Sequence, residues 1–279
     1  MEGNACYRFA TIRNYIELTR TDAVRVTIDV GANVGRITRM MKEYFPDAAV
    51  YAYEPVPEYR RLAEANTAGL AKVTVLQEAV TGQHLFEDAL GQRPRAAISQ
   101  LRLLKGTPDG GPGWIGGSVV VPDDSVGATA PVGYLLSAEA VRPVSLDEVV
   151  ARVLTLESAN AIDVLKMDCE GCEQSALGTA AAETLARIRY IVGEYHQIDR
   201  FYDVVEGKLY ETHKVNLVGD RHLGAFFAER LDGTADGILK YEKRGMRIPR
   251  PWLSARPLDW HLFDDRYVPP GERRWHGLA

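Results

Sequence analysis

The run Val24-Arg25-Val26-Thr27-Ile28-Asp29-Val30 passes into Gly31-Ala32-Asn33-Val34-Gly35 and then into Arg36-Ile37-Thr38. The β-branched residues favour extended chain, and the glycines permit a tight turn. Ile37 to Phe45, closed by Pro46, reads as a helix. Strand, glycine turn and helix then repeat. Ala49 to Tyr53 is a second strand stopped by Glu54-Pro55, and Pro57 to Ala68 a second helix with Gly69 just past its end. Val73 to Val80 reads as a third strand.

The rhythm breaks over residues 82–133, which hold ten of the 25 glycines and five of the 14 prolines. This stretch reads as a loop-rich insertion near the substrate side, with a short strand at Ser118 to Val121. Beyond it, Ser145-Leu146-Asp147-Glu148 fits a capping box, with Glu148 reaching back to Ser145. Ile162 to Met167 reads as a buried strand and Glu173 to Ile188 as an Ala-rich helix. Tyr190 to Glu194 is a strand, Phe201 to Thr212 a helix, and Val215 to Val218 with Ala225 to Ala228 two closing strands. The alternation predicts an α/β fold with a mainly parallel sheet and helices on both faces. Ligands of such sheets bind beyond the carboxyl ends of the strands, so the residues that end each strand are the candidates. Residues 1–232 are expected to form this domain. Residues 233–279 form an extension with Trp252, Trp260 and Trp275 that packs on the domain or on a partner subunit, as in a homodimer.

With 46% hydrophobic and 25% charged residues, the 279-residue chain is not disordered, collagenous or a disulfide scaffold. A formal net charge of -5 argues against a nucleic-acid partner. Apolar runs are too short to span a bilayer, and Met1 to Arg20 carries no signal-peptide pattern. Three cysteines, Cys6, Cys169 and Cys172, suggest a reducing, cytoplasmic setting. Cys169 and Cys172 are spaced C-x-x-C without a second pair for zinc, and read as small packing residues.

The first turn is G-x-x-x-G, neither the dinucleotide G-x-G-x-x-G nor a Walker loop, and no phosphate-binding lysine follows it. Glu54 ends the second strand 23 residues after Gly31, where an acid accepts hydrogen bonds from a ribose diol. Asp29, Gly31 and Glu54 together describe a pocket for a nucleoside without phosphate, and S-adenosylmethionine (SAM) is the common ligand of that kind. Asp29 is expected at the ligand's ammonium, directly or through water. Gln77-Glu78-Ala79-Val80, at the end of the third strand, is expected near adenine, with Glu78 or a nearby backbone group at its exocyclic amine.

Asp29-Val-Gly-Ala-Asn-Val-Gly35 with Thr38, then Tyr53-Glu54-Pro55, then Glu78-Ala79-Val80, resembles the FkbM-type SAM-dependent methyltransferases. The later segments resemble them more specifically. Val144-Ser-Leu-Asp-Glu-Val149 is similar to the family's T-L-D element, and Lys166-Met-Asp168-Cys-Glu170-Gly-Cys-Glu173 to its K-x-D-x-E-G-x-E element. Glu194-Tyr-His196 is similar to its E-x-H ending. The resemblance covers about residues 26 to 213 and implies a Rossmann-like fold with a closing antiparallel strand. It implies methyl transfer to a small molecule, typically a hydroxyl of a sugar, nucleoside, polyketide or other specialised metabolite. Cofactor-binding residues are then expected at Asp29, Gly31, Asn33, Gly35, Thr38, Glu54, Pro55, Glu78, Ala79 and Asp168. With 25 arginines against eight lysines, the chain also fits a GC-rich bacterial source.

A sulfonium methyl donor is already activated, so the enzyme mainly positions and deprotonates its acceptor. Asp168, His196, Glu194, Lys166 and Glu170 are the expected catalytic group, with His196 as base and Glu194 orienting it or pairing with Lys166. A second version places a divalent cation such as magnesium on Asp168, Glu194 and His196. For Lys166 and Glu173 a structural role is equally expected. An N-methyltransferase and a non-catalytic SAM-binding protein are the alternatives.

Overall fold

In the computed structural model, which describes residues 16, 23–82, 101–106, 118–122, 134–169, 171–196, 198–219 and 223–231, β1 (Val26–Val30) and β2 (Ala49–Tyr53) are buried at every position. Burial on both faces is what continuous apolar runs such as Val-Thr-Ile-Asp-Val demand of a parallel strand. The order continues with α1 (Arg36–Tyr44), which precedes β2, then α2 (Pro57–Asn66), β3 (Val73–Leu76), β4 (Glu78–Thr81), β5 (Leu101–Gly106), β6 (Ser118–Pro122) and β7 (Tyr134–Ser145). It proceeds through α3 (Leu146–Leu156), β8 (Ile162–Met167), α4 (Cys172–Thr179), α5 (Ala182–Leu185), β9 (Ile188–His196) and α6 (Ile198–Val204). A π-helical stretch (Val205–Leu209) leads to α7 (Tyr210–Thr212), β10 (His213–Gly219) and β11 (Leu223–Arg230). All these elements lie in the compact unit Val24–Met246. The Trp-rich extension, residues 233–279, lies outside the described residues.

Seven strands form the main sheet in the order β10-β11-β9-β8-β1-β2-β3. β3, β2, β1, β8 and β9 are parallel, while β11 inserts antiparallel between β9 and β10. The chain runs outward from β1 to β3 and returns to β8 on the other side of β1. The crevice between β1 and β8 is thus the place where strand order reverses, the position at which open α/β sheets bind ligands. This is a Rossmann-like α/β fold with closing antiparallel strands. Val26, Ile28, Leu165, Ile191 and Phe226 of the sheet share one apolar core with Val149, Val153, Ala176 and Leu177 of the helices. Among the described residues no helix is long and apolar enough to cross a membrane.

Four expectations change. The strand expected over Val73 to Val80 is two strands in two sheets. β3 is the half-exposed edge of the main sheet, and β4, fully buried, pairs in parallel with Arg142–Ser145 of β7. Residues 101–106 and 118–122 of the insertion form an antiparallel pair that continues through β7, giving a second sheet of order β4-β7-β5-β6. The helix expected over Glu173 to Ile188 breaks at Ala180 and Ala181, both extended, where the Ala181 N–H donates to Asp147 Oδ1 at 3.0 Å. Helix propensity yields there to a tertiary hydrogen bond. Ser145 does cap α3, accepting from the Glu148 N–H at 3.1 Å. The Glu148 side chain, expected to reach back, instead accepts from Arg142 at 2.9 Å.

Candidate cofactor cleft

The cleft opens at the carboxyl ends of β1, β2 and β8 and runs along β4 from its first residue. Its walls are Val30, Gly31 and Asn33 after β1; Tyr53, Glu54, Pro55 and Val56 after β2; Tyr59 of α2; Glu78, Ala79 and Val80 of β4; and Asp168, Cys169 and Cys172 after β8. Of the residues expected at the cofactor, seven are brought together here: Gly31, Asn33, Glu54, Pro55, Glu78, Ala79 and Asp168.

Gly31 makes this convergence possible. Its φ of +75° lies in the left-handed region, and a Cβ on it would sit 1.9 Å from the Asp168 carbonyl oxygen. Only hydrogen allows the β1 turn to rest against the β8 end. The Gly31 and Ala32 N–H groups both donate to the Tyr53 carbonyl, at 3.0 and 3.1 Å, drawing the turn toward β2 as well.

Glu54 is 4% exposed. Its Oε2 accepts from the Asn33 N–H at 2.7 Å and its Oε1 from the Val56 N–H at 2.8 Å. Burial pushes its carboxyl up to about 7, opposed by those two amides and by the Lys166 charge, and reinforced by Asp29. Each oxygen retains a lone pair for a donor in the cleft.

Asp29, Thr38, Gly35 and Lys166 stand behind the wall, not in it. Asp29 is fully buried, and its carboxylate is held by the Lys166 ammonium, 2.9 Å from Oδ1, and by the Thr38 hydroxyl, which donates to Oδ2 at 2.6 Å. The Lys166 Nζ also donates to the carbonyls of Gly31 (2.8 Å) and Val30 (3.3 Å). Burial lowers the Lys166 pKa, but the Asp29, Asp168 and Glu54 carboxylates more than reverse this and hold it above its usual range. Asp29 is thus paired with Lys166, whereas the sequence placed it at the ligand's ammonium, directly or through water. Lys166 itself pairs with Asp29, whereas the sequence offered Glu194. Gly35, with φ +82°, serves helix packing, since a Cβ there would meet Ala63 Cα of α2 at 2.8 Å.

Glu78 is also committed. Arg142 donates to its Oε1 at 2.9 Å, and Arg152 reaches both oxygens, to Oε1 at 3.1 Å, while also donating to the Tyr53 hydroxyl at 3.2 Å. At most one acceptor position on Oε2 is left for an adenine amine. No local signal marks the two arginines, which lie 64 and 74 residues from Glu78. Tyr53, Val56 and Tyr59 were also missed as wall residues, although Tyr53 ends a strand.

Asp168 follows β8 and lines the cleft. Met167 pairs with Gly193, so Glu194 lies level with Asp168 on the neighbouring strand, yet Glu194 is not part of the wall. The side chain of His196 and the whole of Glu170 lie outside the described residues. Among the described residues, which do not include the His196 side chain, no three His, Cys, Asp or Glu side chains are gathered as a metal site. Glu173, fully buried, accepts from the Cys169 N–H (2.7 Å) and the Gly171 N–H (2.9 Å), which makes it a brace for the turn that enters α4. Cys169 and Cys172 are joined in a disulfide with Cα atoms 5.4 Å apart. This corrects their reading as reduced packing residues: Gly171, at φ +105°, folds the turn so that the two meet.

Solved structures similar to this chain include a precorrin-6y C5,15-methyltransferase from Geobacter metallireducens (12% identity, 80% of this chain and 87% of that one, TM-score 0.40). Another is an rRNA methylase from Streptococcus thermophilus (8% identity, 81% and 97%, TM-score 0.43). The 31-O-demethyl-FK506 methyltransferase FkbM of Streptomyces tacrolimicus is 26% identical over 212 residues, 70% of this chain and 71% of its own length. The methyltransferase FkbM domain matches residues 29–215, a span that begins at the Asp29 of the first turn, and the chain therefore belongs to the FkbM family of SAM-dependent methyltransferases.

Proposed function

We propose that this methyltransferase transfers a methyl group from SAM to a hydroxyl of a small molecule, such as a sugar, nucleoside or polyketide, in bacterial antibiotic biosynthesis in the cytoplasm. The observation that carries the cofactor reading is the buried Glu54 carboxylate, which lines the same cleft as Gly31, accepts from the Asn33 N–H of the first turn and keeps two acceptor positions. A ribose diol supplies two donors that match them. The close approach of Gly31 to Asp168 brings the β1 turn and the β8 end together as lining of the same cleft. The acceptor reading is supported by the Streptomyces relative, whose name places its transfer at an oxygen, and by the acidic net charge of -5, which disfavours a nucleic-acid acceptor.

When bound, SAM supplies an activated methyl group. The rest falls to the chain. Glu54 accepts the ribose hydroxyls, with Pro55 shaping the turn beside it. Gly31 and Asn33 border the amino-acid moiety, and Glu78 with Ala79 borders the base. Asp29, Thr38, Gly35 and Lys166 set the positions of these residues from behind. Asp168 orients the acceptor hydroxyl, and His196, which ends β9, takes its proton, with Glu194 and Glu170 as the neighbouring acids.

Titrating S-adenosylhomocysteine (SAH) into the full chain in a calorimeter tests the cofactor; absence of binding would overturn the reading. Mass spectrometry on matched alcohol and amine acceptors tests the chemistry. Methylation of the alcohols alone is expected, and transfer to the amines alone would make the enzyme an N-methyltransferase.

A further inference from the structure

Cys169 and Cys172 are wall residues to which the methyl transfer gives no task. Both line the cleft next to Asp168 and are partly exposed. The turn they close has two ties: the disulfide, and the buried Glu173 carboxylate that holds the N–H groups of Cys169 and Gly171. On its other side the turn carries the β1 loop. A Cβ on Gly31 would meet the Asp168 carbonyl oxygen at 1.9 Å and Cys169 Cα at 3.2 Å, so the two backbones lie directly against each other. Releasing one tie on the 169–172 turn therefore acts on Asp168 and on Gly31 together, two residues in contact that both line the cleft.

We propose that Cys169 and Cys172 are a reversible dithiol–disulfide modification site whose oxidised form holds the cleft in its cofactor-binding shape. The inference rests on the reading of this cleft as the SAM site. The reductant is a dithiol that enters from the cleft. One of its thiolates attacks a cysteine sulfur, the cysteine S–S bond breaks, and the departing cysteine thiolate takes a proton. The dithiol's second thiolate then displaces the other cysteine, which is protonated in turn. The products are two cysteine thiols and one oxidised cyclic dithiol, a balanced two-electron exchange. Reduction removes a covalent restraint from a wall that must be ordered to bind, so the reduced enzyme pays that ordering when the cofactor arrives.

The test equilibrates the full-length enzyme in reduced and oxidised dithiothreitol at a series of ratios. Thiols are alkylated and counted by mass spectrometry on the peptide that contains both cysteines, and SAH affinity is measured at each ratio. The two thiols are expected to appear together, and affinity to fall at least threefold along the same curve. The Cys169→Ala/Cys172→Ala double variant is expected to bind as the reduced enzyme does and to ignore the ratio. Equal affinity in both redox states would overturn the inference, as would two thiols that oxidised dithiothreitol never joins. Failure of the oxidised enzyme to bind SAH at all would instead overturn the cofactor reading on which the inference stands.

Discussion

Lys166 faces Asp29 directly across the β1–β8 pair, and its ammonium lies 2.9 Å from the Asp29 carboxylate. Both side chains are buried, at 6% and 0% exposure, at the point where strand order reverses. The same ammonium holds the carbonyls of Val30 and Gly31, so one charge pair fixes both the strand junction and the turn that leaves it.

Lys166→Met removes one partner and leaves the Asp29 charge buried. A broken buried pair costs about 3–5 kcal/mol, and urea unfolding of the variant is expected to show a loss of that size. The Lys166→Met/Asp29→Asn double variant should recover part of it, because no unpaired charge remains. A loss below about 1 kcal/mol in the single variant would mean that the pair behaves as a solvated one and does not anchor the crevice.

Gly31→Ala tests the close approach of the two strand ends. An alanine there adopts an unfavourable φ of +75° and drives its Cβ into the Asp168 carbonyl. Backbone cannot rotate away as a side chain can, so the β1 turn must lift from β8. SAH affinity is expected to drop at least tenfold, about 1.4 kcal/mol, while the far-ultraviolet circular dichroism stays that of the folded protein. Unchanged affinity would place the cofactor elsewhere.

What the sequence made legible was local. Asp29, Gly31 and Glu54 could be placed at strand ends because each follows its own β-branched run, and the alternation of strands and helices gave the parallel sheet. The partners of those residues were not legible. Lys166 finds Asp29 only through the β1–β8 register. Arg142 and Arg152 find Glu78 only once β4 leaves the main sheet for β7. That departure was hidden because Val73 to Val80 is a single extended run in sequence, and extended backbone carries no mark of which sheet it joins. The C-x-x-C spacing names the two cysteines, but their closure depends on the left-handed Gly171, a backbone property that spacing does not reveal.

Glu54 couples cofactor binding to pH. Burial raises its carboxyl to about 7, so at pH 6 the free enzyme holds it largely protonated. Ribose hydroxyls donate to the ionised form, so binding below pH 7 releases a proton. SAH affinity is expected to rise as pH increases from 6 to 8, and calorimetry in buffers of different ionisation enthalpy should detect the proton. Glu54→Gln should bind more weakly by about 1–3 kcal/mol, the range for a hydrogen bond to a charged group, and with a flat pH profile. A wild-type profile as flat as the variant's would exclude Glu54 as the titrating group.

His213 sets a pH limit on stability at the other end of the sheet. It is 1% exposed, with Nε2 2.9 Å from the Ile188 carbonyl and Nδ1 2.8 Å from the Thr212 hydroxyl. Burial pushes its pKa down to about 4, the Ile188 bond opposes that and Arg230 adds to it. The folded state keeps the ring neutral while the unfolded chain protonates it near 6.5, so between those values the unfolded state binds more protons. The contribution is complete above pH 6.5 and is lost as pH falls through about 4, a total of about 3 kcal/mol for a shift of this size. Glu54 runs in the opposite direction: its folded pKa is raised, so its contribution is largest at low pH and declines toward 7. The two slopes overlap, and the wild-type curve alone does not separate them. The comparison that does is wild type against His213→Gln. The variant keeps a polar side chain without a titrating ring, and its unfolding free energy should lose the acid-side fall attributable to His213. Equal slopes for the two proteins between pH 4 and 6.5 would show that the ring carries its proton in the folded state as readily as in the unfolded one.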